Sequence, residues 1–264
     1  MRRASEERSS GIKTDMQDLQ NSQTITIPAL NAMQGFAHAF TTRNDGLGAR
    51  NKGIKSPSDW DALALLFGVG PDRVVTVNQV HGDSVVVVND DNYRTMRTLD
   101  ADAMITNIKN LAVGVETADC VPVLLIDQVT PAVAAVHAGW RSTVKNIVRK
   151  TVSLMEEEYG SDPSRLTAAF GPAIGPECYE VDEPVMELVR RSFSFWKEVA
   201  SPRGNGKWSL DLVKANRIEL LQSGMQEKHI HSLGMCTTCR RDQFYSFRAE
   251  GRTGRMLSVV MIRS

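Results

Sequence analysis

Short runs of apolar residues recur along the chain, and their pattern predicts strands. Residues 111–117, 121–127 and 132–138 read LAVGVET, VPVLLID and AVAAVHA. Such nearly continuous apolar runs are typical of strands that are covered on both faces. Further strands are predicted at residues 166–170, where the strand leads into a glycine-rich turn, and at residues 243–248 and 256–262.

Two other runs are rich in β-branched residues, which favour strands. They occupy residues 72–81 and 84–90, and Gly82-Asp83 stands between them. A glycine and an aspartate between two strand-like runs predict a tight hairpin turn.

Apolar positions at helical spacing predict three amphipathic helices. The first is expected to begin at Ser142 or Thr143, which can cap it, and to end at Gly160. The others are predicted at residues 183–193 and 211–224. Helices and strands alternate, but the strands include a hairpin. The pattern therefore favours an α+β layer fold with mixed sheets over a purely parallel one.

Composition and charge are those of an ordinary globular protein. Of 264 residues, 42% are hydrophobic and 23% are charged, which argues against wholesale disorder. The 31 basic and 31 acidic residues cancel, so charge gives no case for nucleic acid or an anionic membrane as partner. No run approaches ~20 apolar residues, so no membrane span is expected. Four scattered cysteines fit a reducing compartment, and we expect a cytoplasmic protein.

Residues 1–23 are polar and lack the apolar core of a signal peptide. We expect them to form a flexible N-terminal tail. No Pro/Ser-rich linker or repeat divides the rest of the chain, so residues 24–264 are expected to form one catalytic domain.

Three potential metal ligands stand at the ends of apolar strands. His81, Cys120 and His137 each lie at or just past the C-terminal end of a predicted strand. Strand ends are rigid and their loops are exposed, which suits binding groups. Two imidazoles and one thiolate suit zinc, and three protein ligands leave the fourth tetrahedral position open, as in catalytic zinc sites. The alternative is a buried, unreactive cysteine with hydrogen-bonded core histidines.

Several motifs together resemble one protein family. They are NQVHGD at residues 78–83, TADCVPVLL at 117–125, HAGWRS at 137–142, GPAIGPECYEV at 171–181, CT at 236–237, FYSFR at 244–248 and TGR at 253–255. They resemble the YfiH-like family, which was once labelled multicopper polyphenol oxidase or laccase-like and is now associated with purine nucleoside phosphorylase activity. The similarity runs from about residue 35 to residue 262, and TADC together with HAGWR is a specific combination.

The resemblance implies a single-domain α/β/β/α sandwich in which His81, Cys120 and His137 hold zinc and carry the catalysis. It also implies phosphorolysis of adenosine, inosine, guanosine or methylthioadenosine, and hydrolytic deamination of adenosine. Bound zinc would activate water or polarise phosphate for attack at the sugar C1′. The expected partners are thus a purine nucleoside and phosphate.

Arg43 and Arg141 are the predicted substrate-binding residues. Arg141 and the helix predicted to start at Ser142 offer a guanidinium and unpaired N–H groups suited to phosphate. Arg43 lies in TTRNDG, which resembles the family's TTRxGG. The alternative for both arginines is a solvated charge or a local ion pair.

Three further residues are candidates for supporting roles. Asp102, in DADAMIT, either supports the site from behind or forms a turn. Trp140 and Tyr179 either stack on a purine ring or pack beside glycine turns.

The remaining cysteines are less informative. Cys236 and Cys239 have CxxC spacing, but no second CxxC completes four metal ligands, so free thiols near a strand are expected. Many members of the family carry paired cysteines where Glu177 precedes Cys178 here, and Cys178 is expected only to pack.

Other functions stay open on the sequence. Two histidines and one cysteine also form copper sites with a weak axial methionine. The sequence does not place Met104 or Met235 near the three ligands, and no multicopper HxH pattern accompanies them. Some members of the family are linked to editing of peptidoglycan precursors, and a non-enzymatic metal-binding or protein-interaction module is a further alternative. No GxGxxG follows a strand, so a Rossmann cofactor site has no support.

Overall fold

The computed structural model describes residues 24–45, 47–48 and 56–264, and the tail predicted for residues 1–23 lies outside the described residues. The strands are β1 (Phe36–Phe40), β2 (Val74–Val75), β3 (Val85–Val87), β4 (Ala103–Thr106), β5 (Ala112–Thr117), β6 (Val121–Asp127), β7 (Ala132–Ala138), β8 (Thr167–Phe170), β9 (Glu180–Asp182), β10 (Ala200–Gly204), β11 (Lys207–Leu210), β12 (Ile230–Ser232) and β13 (Met256–Ile262). The α-helices are α1 (Pro28–Asn31), α2 (Pro57–Phe67), α3 (Trp140–Thr143), α4 (Ile147–Tyr159), α5 (Glu183–Ser192), α6 (Trp196–Val199), α7 (Leu212–Gln222) and α8 (Phe247–Glu250). None of the helices in the described part of the chain has the length and hydropathy of a membrane span.

Two mixed sheets form the centre of the molecule. One has the strand order β1-β13-β5-β2 and the other the order β12-β8-β6-β7-β4-β3, while β10, β11 and β9 form a small third sheet. The central strands pair antiparallel, and the edge strands β2, β3 and β12 pair parallel with their neighbours. The sheets are therefore mixed, as the sequence pattern predicts.

The two large sheets pack face to face, and helices cover their outer faces. Strand β6 illustrates why, because its side chains alternate between two apolar clusters. Val123 and Leu125 pack with residues of α4, α5 and α7 on one side, while Leu124 and Ile126 pack against the four-stranded sheet on the other. Helix α2 covers the outer face of the four-stranded sheet. This arrangement is the α/β/β/α sandwich implied by the family resemblance, and the fold prediction is confirmed.

The predicted hairpin at Gly82-Asp83 is wrong. The two β-branched runs contribute their strands to different sheets, since β2 pairs with β5 and β3 pairs with β4. Between them the chain turns around a buried carboxylate, that of Asp102, which accepts hydrogen bonds from the backbone N–H groups of His81 and Gly82.

Two other local predictions need correction. The helix predicted from Ser142 to Gly160 is divided into α3 and α4, because Asn146 takes a left-handed conformation with φ of 63°. Asparagine tolerates that region better than most residues. The strand predicted at residues 243–248 is absent from the described chain, where Ser246 instead caps helix α8.

His38 on β1 gives a pH-dependent contribution to stability. Its side chain is 6% exposed, and its Nε2 accepts a hydrogen bond of 2.8 Å from the backbone N–H of Ile27. Burial lowers the pKa of His38 to about 4, so the imidazole is neutral in the folded protein. The unfolded chain, with a pKa near 6.5, binds a proton more readily.

We expect the free energy of unfolding to fall as the pH drops from about 6.5 to about 4, with His38 contributing about 3 kcal/mol of the loss. His38→Gln keeps an acceptor for Ile27 but does not titrate. Denaturant unfolding at several pH values checks this expectation. The free energy of unfolding of the variant should fall less steeply as the pH drops than that of the wild type. Equal pH slopes for the two proteins would contradict the assignment.

Candidate active site

Neighbouring strands bring the three predicted metal ligands to one edge of the six-stranded sheet. Cys120 directly precedes β6, and His137 lies near the end of β7, which runs antiparallel to β6 with Pro122 opposite His137. His81 arrives from the loop between β2 and β3, with φ of 57°.

The three side chains converge. The Cys120 sulfur lies 3.8 Å from Nε2 of His81, the two imidazole centroids are 4.8 Å apart, and all three ligand atoms lie within 4.8 Å of one another. Bonds of ~2.0–2.3 Å to a tetrahedral ion put ligand atoms ~3.3–3.8 Å apart, so small adjustments close this set around one ion. His137 is buried, Cys120 is partly buried and His81 is exposed, so the set opens to solvent on one side.

Asp102 anchors the site from behind. Its carboxylate is fully buried, lies 2.7 Å from Nδ1 of His137, and accepts backbone N–H bonds from His81 at 3.0 Å and Gly82 at 2.6 Å. Burial would raise the pKa of Asp102, but His137 and the backbone donors outweigh it and hold the pKa low. A carboxylate on Nδ1 fixes the imidazole tautomer that leaves Nε2 free to bind a metal. Asp102 thus holds two of the three candidate ligands.

The electrostatics of the site favour a thiolate. Burial would raise the pKa of the Cys120 thiol, but the charges and hydrogen bonds of His137 and His81 outweigh burial and lower that pKa. Burial in turn lowers the pKa of His137, while Cys120 and Asp102 outweigh it and raise that pKa. A thiolate is the form that binds metals.

Asp119 is a residue that the sequence patterns did not single out. Its φ of 96° lies in the left-handed region, an unusual conformation for a residue other than glycine. Its carboxylate accepts bonds from the Thr237 hydroxyl at 2.6 Å and the Arg248 backbone N–H at 2.7 Å, and its carbonyl accepts from Ile174 at 2.9 Å. These contacts fix the backbone that presents Cys120. The only sequence signal for Asp119 was its place in the TADC motif.

Gly139 leaves room for the ligand set. A Cβ atom there would lie 3.0 Å from Cδ2 of His81 and 3.1 Å from the Cys120 sulfur, tighter than ordinary contact. The φ of Gly139 is −70°, so alanine is sterically compatible with the backbone itself.

Gly139→Ala is therefore expected to push these ligands apart and to weaken zinc binding by about tenfold or more, as other changes beside metal ligands do. Gly70→Ala is the matched control, because Gly70 has a φ of −75° and a Cβ there meets only the flexible carboxylate of Asp72. A chelator-competition titration measures both affinities. Equal zinc affinity in the two variants would exclude this steric role.

The ligand set lies in the wall of a cleft of about 940 Å³. Basic and aromatic side chains are frequent around it. The described lining includes Arg97, Arg141, Arg248, Arg255, Trp60, Trp140, Tyr179 and Phe247. Burial raises the pKa of the Tyr179 hydroxyl, which stays protonated. The cleft thus offers positive charge and flat apolar rings beside the three candidate ligands.

Arg141 differs from the other arginines of the cleft. It is exposed, its guanidinium lies 4.3 Å from the Trp140 ring centroid, and no carboxylate in the described chain pairs with it. Arg97, Arg248 and Arg255 each donate to backbone carbonyls. The predicted helix start at Ser142 is wrong, since α3 begins at Trp140 and spans only four residues.

Arg43 lies away from the described cleft lining. Its guanidinium pairs with Glu250 at 2.8 Å, donates to the carbonyls of Arg241 and Phe244, and lies 4.8 Å from the Tyr245 ring centroid. These contacts tie Arg43 to the segment around α8. Its role in substrate binding stays a prediction.

Comparisons with known proteins agree with this fold. A family model described as multi-copper polyphenol oxidoreductase laccase matches residues 36–263. The chain is 34% identical over 229 residues to purine nucleoside phosphorylase YlmD of Bacillus subtilis, covering 84% of this chain and 82% of that one. It is 34% identical over 197 residues to adenosine deaminase RL5 of an unknown prokaryotic organism, covering 72% and 74%.

Solved structures from the same group of proteins are similar to this chain in fold. The crystal structure of a hypothetical protein YfiH from Bacillus licheniformis matches with a TM-score of 0.81 and 29% identity, over 88% of this chain and 94% of that one. YlmD from Geobacillus stearothermophilus matches with a TM-score of 0.80 and 28% identity, over 88% of this chain and 93% of that one.

The fold and the cleft define an α/β/β/α sandwich protein with a cysteine and two histidines at its site. The chain belongs to the YfiH-like family, whose model carries the laccase description. The resemblance is therefore confirmed.

Proposed function

We propose that this protein is a zinc-dependent purine nucleoside phosphorylase that also deaminates adenosine, with zinc held by His81, Cys120 and His137. The convergence of these three side chains in the wall of a cleft carries the proposal. A volume of about 940 Å³ lies within the usual range for small-molecule sites, ~300–1,000 Å³. The relatives named for phosphorylase and deaminase activity support the same substrate class.

Phosphorolysis needs phosphate and nucleoside side by side. An oxygen of phosphate forms a bond to C1′ while the C1′–N9 bond breaks, and its electron pair leaves with the purine, which takes up a proton. The products are a free base and ribose 1-phosphate. In deamination, water replaces the amino group of adenosine, and ammonia leaves.

The chain's own residues supply binding and orientation. Arg141 has no acidic partner within the described chain, so its guanidinium is available to bind phosphate. Trp140 and Tyr179 line the cleft as flat surfaces for a purine ring. Asp102 keeps the His137 ring in place. When bound, zinc supplies Lewis-acid polarisation of water or phosphate.

Zinc is favoured over copper by the surroundings of the ligand set. A copper site with one cysteine and two histidines normally adds a weak axial methionine. Methionine does not occur among the described residues that line the cleft. Met104 is buried between the two sheets, and Met235 packs against the apolar cluster that includes Phe244 and Met256. All four cysteines are free thiols, which supports a reducing compartment such as the cytoplasm.

The test is an assay of inosine turnover with and without phosphate, combined with elemental analysis of the purified protein. We expect hypoxanthine and ribose 1-phosphate only when phosphate is present, inosine and ammonia from adenosine, and zinc in the protein. Bound copper with oxidation of phenols would instead support a laccase. Turnover of muropeptides but of no nucleoside would support peptidoglycan editing, and bound metal without any turnover would support a non-enzymatic module.

Arg141→Gln is expected to raise the KM for phosphate by about 10- to 100-fold, because a charge-assisted hydrogen bond contributes about 1.5–3 kcal/mol. The KM for inosine at saturating phosphate should change little. Arg191→Gln is the control, since Arg191 is exposed on α5 and does not line the described cleft. Steady-state kinetics with phosphate as the varied substrate measure the effect. An unchanged phosphate KM would remove Arg141 from the phosphate site.

A further inference from the structure

Three cysteine sulfurs meet at a second place in the molecule, outside the described cleft lining. Cys178 lies in the turn after β8, and Cys236 and Cys239 lie in the segment that follows β12. The sulfurs of Cys178 and Cys239 are 3.4 Å apart, and all three sulfurs lie within 4.8 Å of one another. The CxxC pair therefore has a third thiol beside it, although 57 residues separate Cys178 from Cys236 in the sequence.

Backbone contacts fix the two turns that carry these sulfurs. Ala173 and Cys236 form a β-bridge, and the Thr237 N–H donates to the Ala173 carbonyl at 3.0 Å. The Gly175 N–H donates to the Cys236 sulfur at 3.2 Å, and the Cys239 N–H bonds to the same sulfur. N–H groups that converge on one sulfur stabilise its thiolate and orient it, as outer-shell donors do at metal sites.

We propose that Cys178, Cys236 and Cys239 form a second metal site, which binds a thiophilic d¹⁰ ion, Zn²⁺ or Cu⁺, through three thiolates. The spacing of the sulfurs is close to the ~3.8 Å expected between thiolates around a tetrahedral ion with bonds of ~2.3 Å. Thiolates select these soft ions over magnesium or calcium. Three thiolates suffice for trigonal Cu⁺, while Zn²⁺ takes an exogenous fourth ligand such as water.

Simple packing does not account for the cluster. Buried cysteines behave as small apolar side chains, but here Cys239 is exposed and the other two thiols are partly exposed. A disulfide between Cys178 and Cys239 would require the sulfurs to approach to ~2.05 Å and would leave Cys236 without a partner. A shared ion uses all three sulfurs.

The site should affect stability more than catalysis. Its segment adjoins Thr237, whose hydroxyl holds the carboxylate of Asp119. An ion there links the turn after β8 to the segment after β12. Ion binding should therefore raise the melting temperature without being required for turnover.

The experiment compares the full-length wild type with Cys239→Ser, Cys178→Ser and Cys120→Ser, all purified with a reductant and stripped of metal. Each protein is titrated with Zn²⁺ and, in separate anaerobic samples, with Cu⁺ against a competing chelator. Co²⁺ serves as a spectroscopic probe, because thiolate-to-cobalt absorption reports the number of sulfur ligands. Inosine phosphorolysis and melting temperature are measured on the same samples.

We expect two bound ions in the wild type and one in each variant. Cys239→Ser and Cys178→Ser should lose the strongly absorbing cobalt site and the metal-dependent rise in melting temperature, but keep activity within about twofold. Elemental analysis of the protein before it is stripped identifies the ion, because raw affinity alone favours copper at thiolate sites. Metal binding that is unchanged in Cys239→Ser and Cys178→Ser, or a Cys178–Cys239 disulfide that persists in the presence of reductant, would overturn the second site. A single ion in the wild type that these two variants lose would instead overturn the cleft site. Absent turnover in the wild type, by contrast, bears on the proposed function alone.

Discussion

Cys120→Ser should bind no zinc at the cleft and should lose inosine phosphorolysis by at least on the order of a hundredfold. Changes beside metal ligands already cost about 10- to 100-fold in metal affinity or activity, and this substitution removes a ligand itself. The serine hydroxyl is close in size to the thiol but does not ionise near neutral pH. His137 and His81 lower the pKa of the native thiol, so only cysteine supplies an anionic ligand at this position.

Cys239→Ser is the matched control for Cys120→Ser, because it removes another free thiol without touching the described cleft lining. The phosphorolysis assay on the two variants, with circular dichroism to verify folding, checks the prediction. Each variant is expected to keep one of the two ions, but only Cys120→Ser should lose turnover. A folded Cys120→Ser protein with native zinc content and turnover would remove Cys120 from the site.

Substitution of Asp102 should have the second large effect, since it should lower both the stability of the fold and the affinity for zinc. Asp102→Ala leaves the buried Nδ1–H of His137 and the N–H groups of His81 and Gly82 without their acceptor. An unsatisfied buried donor costs about 1–3 kcal/mol, so the free energy of unfolding should fall by about 3 kcal/mol or more. Zinc affinity should fall about 10- to 100-fold.

Asp102→Asn separates the two effects. With its amide oxygen in the place of Oδ2, asparagine still accepts the N–H bond of Gly82 and leaves only the His81 N–H without an acceptor, so the loss of stability should be smaller. Its amino group, however, donates to Nδ1 of His137 and puts the imidazole proton on Nε2, where it opposes metal binding.

Asp127→Ala is the control for Asp102. Asp127 is also buried and accepts backbone bonds from Val129 and Thr130, but it is not part of the described cleft lining. Denaturant unfolding and zinc titration of the three variants check these expectations. If Asp127→Ala weakened zinc binding as much as Asp102→Asn, general destabilisation would explain the effect.

The core of the fold follows directly from the sequence. Strands β5, β6 and β7 are buried on both faces, so they appear as almost unbroken apolar runs. The same runs indicate two of the candidate ligands. Cys120 directly precedes β6 and His137 lies opposite Pro122 near the end of β7, so both stand at the end of this strand pair that is away from its turn.

Tertiary contacts determine several features that the sequence pattern could not predict. The Gly82-Asp83 turn resembles a hairpin locally, but the buried carboxylate of Asp102 organises it and the flanking strands enter different sheets. Cys178 reaches Cys236 through a bridge between distant segments, which no local periodicity reports. The left-handed conformation of Asp119 is likewise maintained by Thr237 and Arg248, which lie far away in the chain.

Removal and return of the metal tests whether zinc in the cleft is required for turnover. Inosine phosphorolysis is followed in wild-type protein before chelation, after chelation, and after zinc is added back. We expect turnover to be lost with the metal and to return with zinc, and Cys120→Ser not to recover under the same treatment. Full turnover in protein whose zinc and copper have been removed, as verified by elemental analysis, would contradict this requirement.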